Sequence, residues 1–462
     1  MKRLILATLA VLVVIAAGYY LRRGYRAPFD ALERELRALK EAGEPLRYED
    51  IVPPITANLN AAPIYQKAFG LLPNLSFNEW QVLDEFRNGR PVEIVKVRQI
   101  LKRCQPALAL ARKASKLPHA RWVKWQPNPF SIEFWHLPKL REVARLLVAD
   151  ALLRLNDGDV KGSIENLAAL LRMAHQMSDE PFAGNLLHVQ LLFHLANQVL
   201  QAILSRQVKI SPSQMRQLQR LSSQWDGDQL LIRHQQLMLV AFIDLFDWLQ
   251  ANPTTAREYL QSWSEGCLIY PGGNLAAWVL PLYSQLASNE AILLRYHRRL
   301  LSIARKGEPY DWKQFELIDQ WAQRMTSYGF KSIRFGFAFL PLSFAREFTC
   351  PGGLREEGTV SGSLFRDIAR AKASQRLFQV GLALHMFRQE HGRYLEILLG
   401  LVPHYLPTVP KDPFDGKPLR YCRDKNGFRV WSIGTDLKDD GGVSQISPLS
   451  GKGDIILSVL SR

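Results

Sequence analysis

The pattern of apolar and polar positions divides the 462 residues into three stretches. The first is an almost unbroken apolar run from Leu4 to Leu21. About 18 residues at the helical rise give roughly 27 Å, enough to cross a bilayer core. Lys2 and Arg3 precede the run, Arg22, Arg23 and Arg26 follow it, and Tyr19 and Tyr20 fall where interfacial aromatics sit. Residues 1–27 are therefore expected to form an uncleaved transmembrane anchor. The competing reading is a cleaved signal peptide, for which Ala16-Ala17-Gly18 offers small residues. The run continues through Leu21 into arginines, which favours the anchor. Positive charge flanks both ends, so charge alone gives no orientation.

The second stretch, residues 28–360, carries the helical period. Phe29 to Ala42 sets Leu32, Leu36 and Leu39 on one face and predicts a stalk helix after Pro28. Further helices are expected over 61–72, 77–88 and 91–116, after a loop rich in Pro, Asn and Thr. From Lys139 to Arg206, Asn156-Asp157-Gly158-Asp159 and Ser178-Asp179-Glu180-Pro181 interrupt the apolar stripes and predict three successive helices. The first two resemble one tetratricopeptide-type unit, but no further copy follows at a fixed period, so a hairpin within a bundle is expected. Two long helices over 227–250 and 280–305 and a shorter one from Trp312 to Met325 complete a helical body. Gly272-Gly273 and Pro351-Gly352-Gly353 mark breaks. The stretch from Gly329 to Phe344 is rich in Phe, Gly and Pro.

The third stretch, residues 361–462, changes character. One long helix is expected from Ser361 to Glu390, with Ser361 or Ser363 as N-cap and Gly392 as C-cap. A short helix from Ile397 to Tyr405 and a turn-forming run, Asp412-Pro413-Phe414-Asp415-Gly416-Lys417-Pro418, come next. Leu419–Arg423 and Phe428–Ile433 flank an Asn426-Gly427 hairpin signal, and Asp454–Val459 supplies a third strand. The fold class expected is mainly α: an N-terminal transmembrane helix, a helical-bundle body and a small α+β C-terminal domain.

Composition adds compartment and partner classes. The chain is 47% hydrophobic and 22% charged, values of a folded protein. Its net charge of +16 suits anionic surfaces or reflects a basic background. The densest basic stretch, Arg295, His297, Arg298, Arg299, Arg305 and Lys306, spreads around its helix and accompanies no nucleic-acid module, so no nucleic-acid partner is expected. Cys104, Cys267, Cys350 and Cys422 lie far apart without a CxxC pair. Disulfides and buried free thiols both remain open for them.

Catalytic motifs are missing: there is no HExxH, GxSxG or GxxxxGK[ST]. His188 and His194, six apart on one helix, diverge by about 120° and suit structural roles better than chelation. Trp122, Trp125, Pro127, Pro129, Phe130 and Trp135 form an aromatic, proline-rich loop, which fills a core or, on the sharper reading, offers a sugar or peptide platform. Glu133, Glu142, Glu165 and Glu180 are the acids available to pair in space.

The order of pieces in the last quarter resembles the globular head of the major pseudopilin of type II secretion. Those pieces are the long helix ending in His391-Gly392-Arg393-Tyr394, the turn Pro410 to Phe414, the strand Pro418 to Tyr421, and Ser432-Ile433-Gly434-Thr435-Asp436-Leu437-Lys438-Asp439-Asp440-Gly441-Gly442 followed by Asp454-Ile455. The whole chain also resembles bacterial membrane-anchored proteins, of no known activity, that join a helical body to such a tail. The resemblance implies a calcium site, with Asp436, Asp439 and Asp440 as carboxylate ligands and help from Ser432; a solvated acidic turn is the alternative. It also implies a single-pass protein of the inner (cytoplasmic) membrane with its bulk extracytoplasmic. Three departures stand against a pilus subunit of the usual kind: no processing motif in residues 1–30, Leu437 in place of a loop glycine, and Leu395 in place of a proline. The expected function is a membrane-anchored envelope scaffold with protein partners, and the resemblance implies a place beside a secretion or pilus-like machine. The alternative is an envelope hydrolase acting on cell-wall or polysaccharide material through acids of the body.

Overall fold

The computed structural model describes residues 26–255, 282–326, 360–424, 427–443 and 453–459. The expected membrane span, the breaks at 272–273 and 351–353, the stretch 329–344, Cys267, Cys350 and the hairpin's Asn426 lie outside the described residues. The described chain is mainly helical, with one small antiparallel sheet near the C-terminus.

Helix α1 covers 26–41. It is followed by α2 (Tyr48–Ile51), α3 (Ala62–Gly70), α4 (Phe77–Arg87), α5 (Ile94–Ser115), α6 (His136–Asn156), α7 (Val160–Gln176) and α8 (Ala183–Ser205). Then come α9 (Pro212–Ser223), α10 (Gly227–Ala251), α11 (Leu282–Lys306), α12 (Trp312–Thr326) and α13 (Val360–His391). Local chemistry starts several of them. Ser76 and Glu79 form a reciprocal capping box on α4, and Asp159 accepts from Gly162 N to cap α7. Helix α9 was not expected from periodicity. Its signal was at the end of the helix: Ser211 and Gln214 form a second capping box, with Pro212 in the first turn.

Two expectations need correction. Ser361 and Ser363 fall inside α13 and do not cap it, because the helix already begins at Val360. The short helix expected from Ile397 to Tyr405 is only a 3₁₀ turn, Leu398–Leu401, since the chain turns extended again at Val402 before Pro403. Gly392 does end α13, at φ +74°, with its N–H on the Arg388 carbonyl.

A single apolar core runs from Ala61 to Val459, on both sides of position 360. Helix α13 passes through its centre. Phe365, Ile368, Ala373, Leu377, Phe378, Val380 and Leu384 are all essentially inaccessible, so the helix is covered on nearly every face. Helix α8 lies alongside, with Asn197 Nδ2 donating to the Ser374 carbonyl at 2.8 Å. At Gly381 a Cβ would come within 2.4 Å of Leu457 and 3.4 Å of Leu200, so a larger residue would have to displace the Leu457 side chain where the sheet and α8 meet the helix. Among the described residues α8 is the one helix long and apolar enough to cross a membrane, but 56% of that window is buried inside the bundle.

A second cluster joins α1 to the body. Leu39 packs with Leu239, Phe242, Leu245, Phe246 and Leu249 of α10 and with Leu286, Leu294 and Leu301 of α11, with Leu32 and Leu36 at its margin. The sheet is ordered β1 (Arg420–Arg423), β2 (Phe428–Ser432), β3 (Ile455–Val459), all antiparallel. Tyr421 pairs with Val430 and Trp431 with Ile456. Asp424 N donates to the Gly427 carbonyl across the hairpin end.

Candidate functional site

The loop after β2 is built around two acids. Asp412, in the Pro410–Phe414 turn, is fully buried. Its carboxylate accepts from Phe414 N at 3.0 Å, Ile433 N at 2.9 Å, Ser432 Oγ at 2.8 Å and Arg420 Nη1 at 2.8 Å. The turn is thus stapled to the end of β2, which explains why the two motifs occur together. Burial pushes the Asp412 carboxyl above the usual range, against these four donors. Asp454 performs the matching task at the start of β3, accepting from Gly442 N at 2.8 Å and Asp440 N at 3.4 Å. Burial raises its carboxyl too, and the neighbouring charges of Asp439 and Asp440 add to the effect.

The four expected ligands divide between these staples. Asp436 accepts from Gly453 N at 2.9 Å and Lys438 N at 3.3 Å. Asp439 accepts from Trp431 Nε1 at 2.9 Å and Gly441 N at 3.1 Å and faces Arg420 Nε at 3.4 Å. The Trp431 hydrogen bond, the Gly441 amide and Arg420 together hold its carboxyl below the usual range. Ser432 gives its hydroxyl to Asp412. Asp440 is exposed and contributes its amide to Asp454. In this conformation the donors do not form a calcium shell: among the described residues no three His, Cys, Asp or Glu side chains stand where they could hold a metal. What the loop does bring to one closure is Asp436, Asp440 and Asp454. The last belongs to the motif but was not expected as a ligand. Gly434, at φ +71°, allows the closure, since a Cβ there would meet the Gly453 carbonyl at 2.5 Å. Leu437 occupies the left-handed region at φ +59°, the conformation a loop glycine would adopt freely.

The body holds a second constellation, where the aromatic loop meets the 178–181 break. Trp122 stacks on His136, centroids 4.6 Å apart and nearly parallel, and lies against Tyr65, Phe69 and Trp135. Trp125 stacks on Tyr48 at 4.3 Å and donates Nε1 to Asp244 at 2.6 Å. Beside them Glu180 is buried, accepting from Trp122 N and Val123 N, both at 3.0 Å. Asp179 accepts from Ala120 N at 2.7 Å and meets His119 Nδ1 at 3.1 Å. Arg233 clasps the carbonyls of Ile51, Ser178 and Asp179, and Arg121 reaches the Asp179 carbonyl as well. Burial pushes the Glu180 carboxyl up to about 7, opposed by the amides of Val123 and Trp122. The two acids next to the aromatic loop therefore serve as backbone acceptors that pin it to the α7–α8 corner. Of the other acids, Glu133 and Glu165 are exposed, and Glu142 pairs with Lys139 at 3.1 Å.

The histidines serve structure. His188 is sandwiched between the Gly184 and Leu137 carbonyls, at 2.8 and 3.1 Å. His194 accompanies Gln198 one turn further on. Burial lowers both imidazoles to about 4. Cys104 is a buried free thiol and Cys422 an exposed one. Much of the basic stretch of α11 is paired within the chain. Arg295 and Arg298 bind the buried Glu35 at 2.6 and 2.9 Å, and Arg305 binds the buried Glu44 at 2.6 Å. His297 meets Gln235 Oε1 at 3.0 Å, and Arg299 covers the Trp321 ring at 4.0 Å.

Comparison with protein-family models, curated proteins and solved structures gives no match for this chain.

Proposed function

We propose that the chain is a rigid, membrane-anchored scaffold of the bacterial envelope that carries a pseudopilin-like tail for contact with protein partners. The observation that supports this reading is the continuity between its two ends. Helix α1, next to the expected anchor, is clamped to α10 and α11 by apolar packing and the Glu35 and Glu44 ion pairs. Helix α13, which begins the tail, runs through the core of the body. A chain so connected transmits position from membrane to tail. Asp179 and Glu180, two acids beside the aromatic loop, are occupied by the amides of residues 120, 122 and 123. A place beside a secretion or pilus-like machine follows from the resemblance of the tail.

Calcium belongs to this proposal as the loop's ligand, with carboxylates from Asp436, Asp440 and Asp454. Binding requires Asp436 and Asp454 to turn from the amides that now hold them and the exposed Asp440 to swing in, while Asp439 stays with Arg420. Thermal unfolding of the whole chain in detergent, with calcium and with chelator, tests it. At about a hundred times its dissociation constant calcium should add roughly 2.7 kcal/mol, and Asp454→Asn should abolish the gain. A chain indifferent to calcium reduces the loop to a stapled turn. A reporter fused after Arg462 and active only in the cytoplasm overturns the envelope placement.

A further inference from the structure

We infer that the helical body stands end-on against the bilayer surface, seated on one defined end, and holds the tail at a fixed height above it. This rests on the anchor reading above. Contacts along three helices fix which residues lie at the same level. Helix α1 runs parallel to α11, because Glu35 meets Arg295 and Arg298 while Glu44 meets Arg305. Glu44 also receives Gln236 of α10 at 3.1 Å, which ties that helix to the pair. Helices α10 and α11 are antiparallel to each other, with Gln235 on His297 at one level and Asp247 beside Glu290 at another. Counting outward from these contacts places Arg26, Ala251 and Leu286 at one level, the end of the three-helix unit that faces the anchor.

That end cannot lie far from lipid. The apolar run stops at Leu21, five residues before Arg26. Five residues reach at most about 17 Å extended and roughly 7.5 Å as helix. The headgroup zone on each side is itself about 5–8 Å deep. The described end of α10 and the start of α11 therefore lie within about 17 Å of the hydrocarbon core, with the exposed Arg26 at that same end.

The opposite end carries the tail. At the N-terminal end of α10, Asp228 binds Lys372 of α13 at 2.6 Å, and Lys372 binds Glu308 in the α11–α12 connection at 3.1 Å. Gly416 of the Pro410–Pro418 turn packs on Pro309 in the same connection. From Ala251 to Asp228 the helix climbs about 35 Å, so the turn and its acidic loop are held that far from the membrane.

The test uses the full chain in vesicles of zwitterionic lipid with acceptor-labelled headgroups. Its four native cysteines are replaced by alanine, and one donor dye is attached at Ala251→Cys or at Lys417→Cys, both exposed positions. Transfer from position 417 should be about threefold or more weaker than from 251, given the ~35 Å difference in height. Glu35→Gln combined with Glu44→Gln should narrow that difference by releasing the clamp. Equal or reversed transfer in the unaltered clamp, with the chain still resistant to an alkaline carbonate wash, overturns this inference alone. A chain removed by the wash overturns the anchor reading with it.

Discussion

Glu290 shows how one residue can store a pH response without taking part in a site. It is almost completely buried on α11, and its Oε2 has no hydrogen-bond partner among the described residues. Burial pushes its carboxyl up from 4.5 to about 8, and the charge of Asp247 across the helix pair adds to this. The fold thus binds this proton more tightly than the unfolded chain does. Its contribution to stability is complete below about pH 4.5 and is lost as the pH rises to about 8. Glu290→Gln removes the ionisation and keeps the shape. It should leave stability near pH 4.5 unchanged and raise it at pH 8, on the order of 4 kcal/mol. Urea unfolding of both proteins across this range checks the sign: a variant less stable at pH 8 would mean that the ionised carboxylate has a partner. Leu437 shows the limit of sequence reading at this scale. Its departure from glycine was visible, but that the loop still adopts the left-handed backbone, at φ +59°, was not.

At the scale of elements, apolar stripes with end signals were legible, and elements defined by partners were not. The breaks at Asp157-Gly158-Asp159 and at Gly392 marked helix ends because a capping carboxylate and a left-handed glycine act locally. Helix α9 has a short stripe on a polar helix, so only its capping box announced it. The loop acids were legible as a group, but their division was not. Whether Asp439 faces a cation or Arg420 depends on a strand that is close in space and distant along the chain. Lys372 illustrates the same dependence. Its ammonium is buried and joins Asp228 of α10 to Glu308 before α12, with Arg376 also on Glu308 and Tyr310 Oη donating to Asp228 at 3.1 Å. Three elements meet at this cation. Lys372→Met keeps the packing volume but leaves the half-buried Glu308 with Arg376 alone and Asp228 with Tyr310. Destabilisation should be about 3 kcal/mol in chemical unfolding. A neutral result would show that solvent already satisfies the acids.

For the whole molecule the question is whether the tail can exist without the body. By sequence, residues 361–462 look self-sufficient: a long helix, a turn and three strands in the order of a small α+β head. A free-standing head needs one face of its helix in water. Helix α13 offers no such face along most of its length, since Phe365, Ile368, Leu377, Phe378, Leu382 and Leu384 are all inaccessible and at Gly381 it is approached from one side by the sheet and from another by α8. Lys372 and Gln375 also take their partners from the body, at Asp228 and at the Ser222 and Trp225 carbonyls. Removing the body would expose these side chains together and leave the buried polar groups without partners. The isolated fragment 361–462 should therefore show no cooperative thermal transition, bind a hydrophobic dye, and self-associate. Joining it again to residues 28–360 should restore a single transition, because one core spans both. A fragment that unfolds cooperatively by itself would mean that the tail carries its own stability, with α13 docked on the body as a second layer and not as its centre.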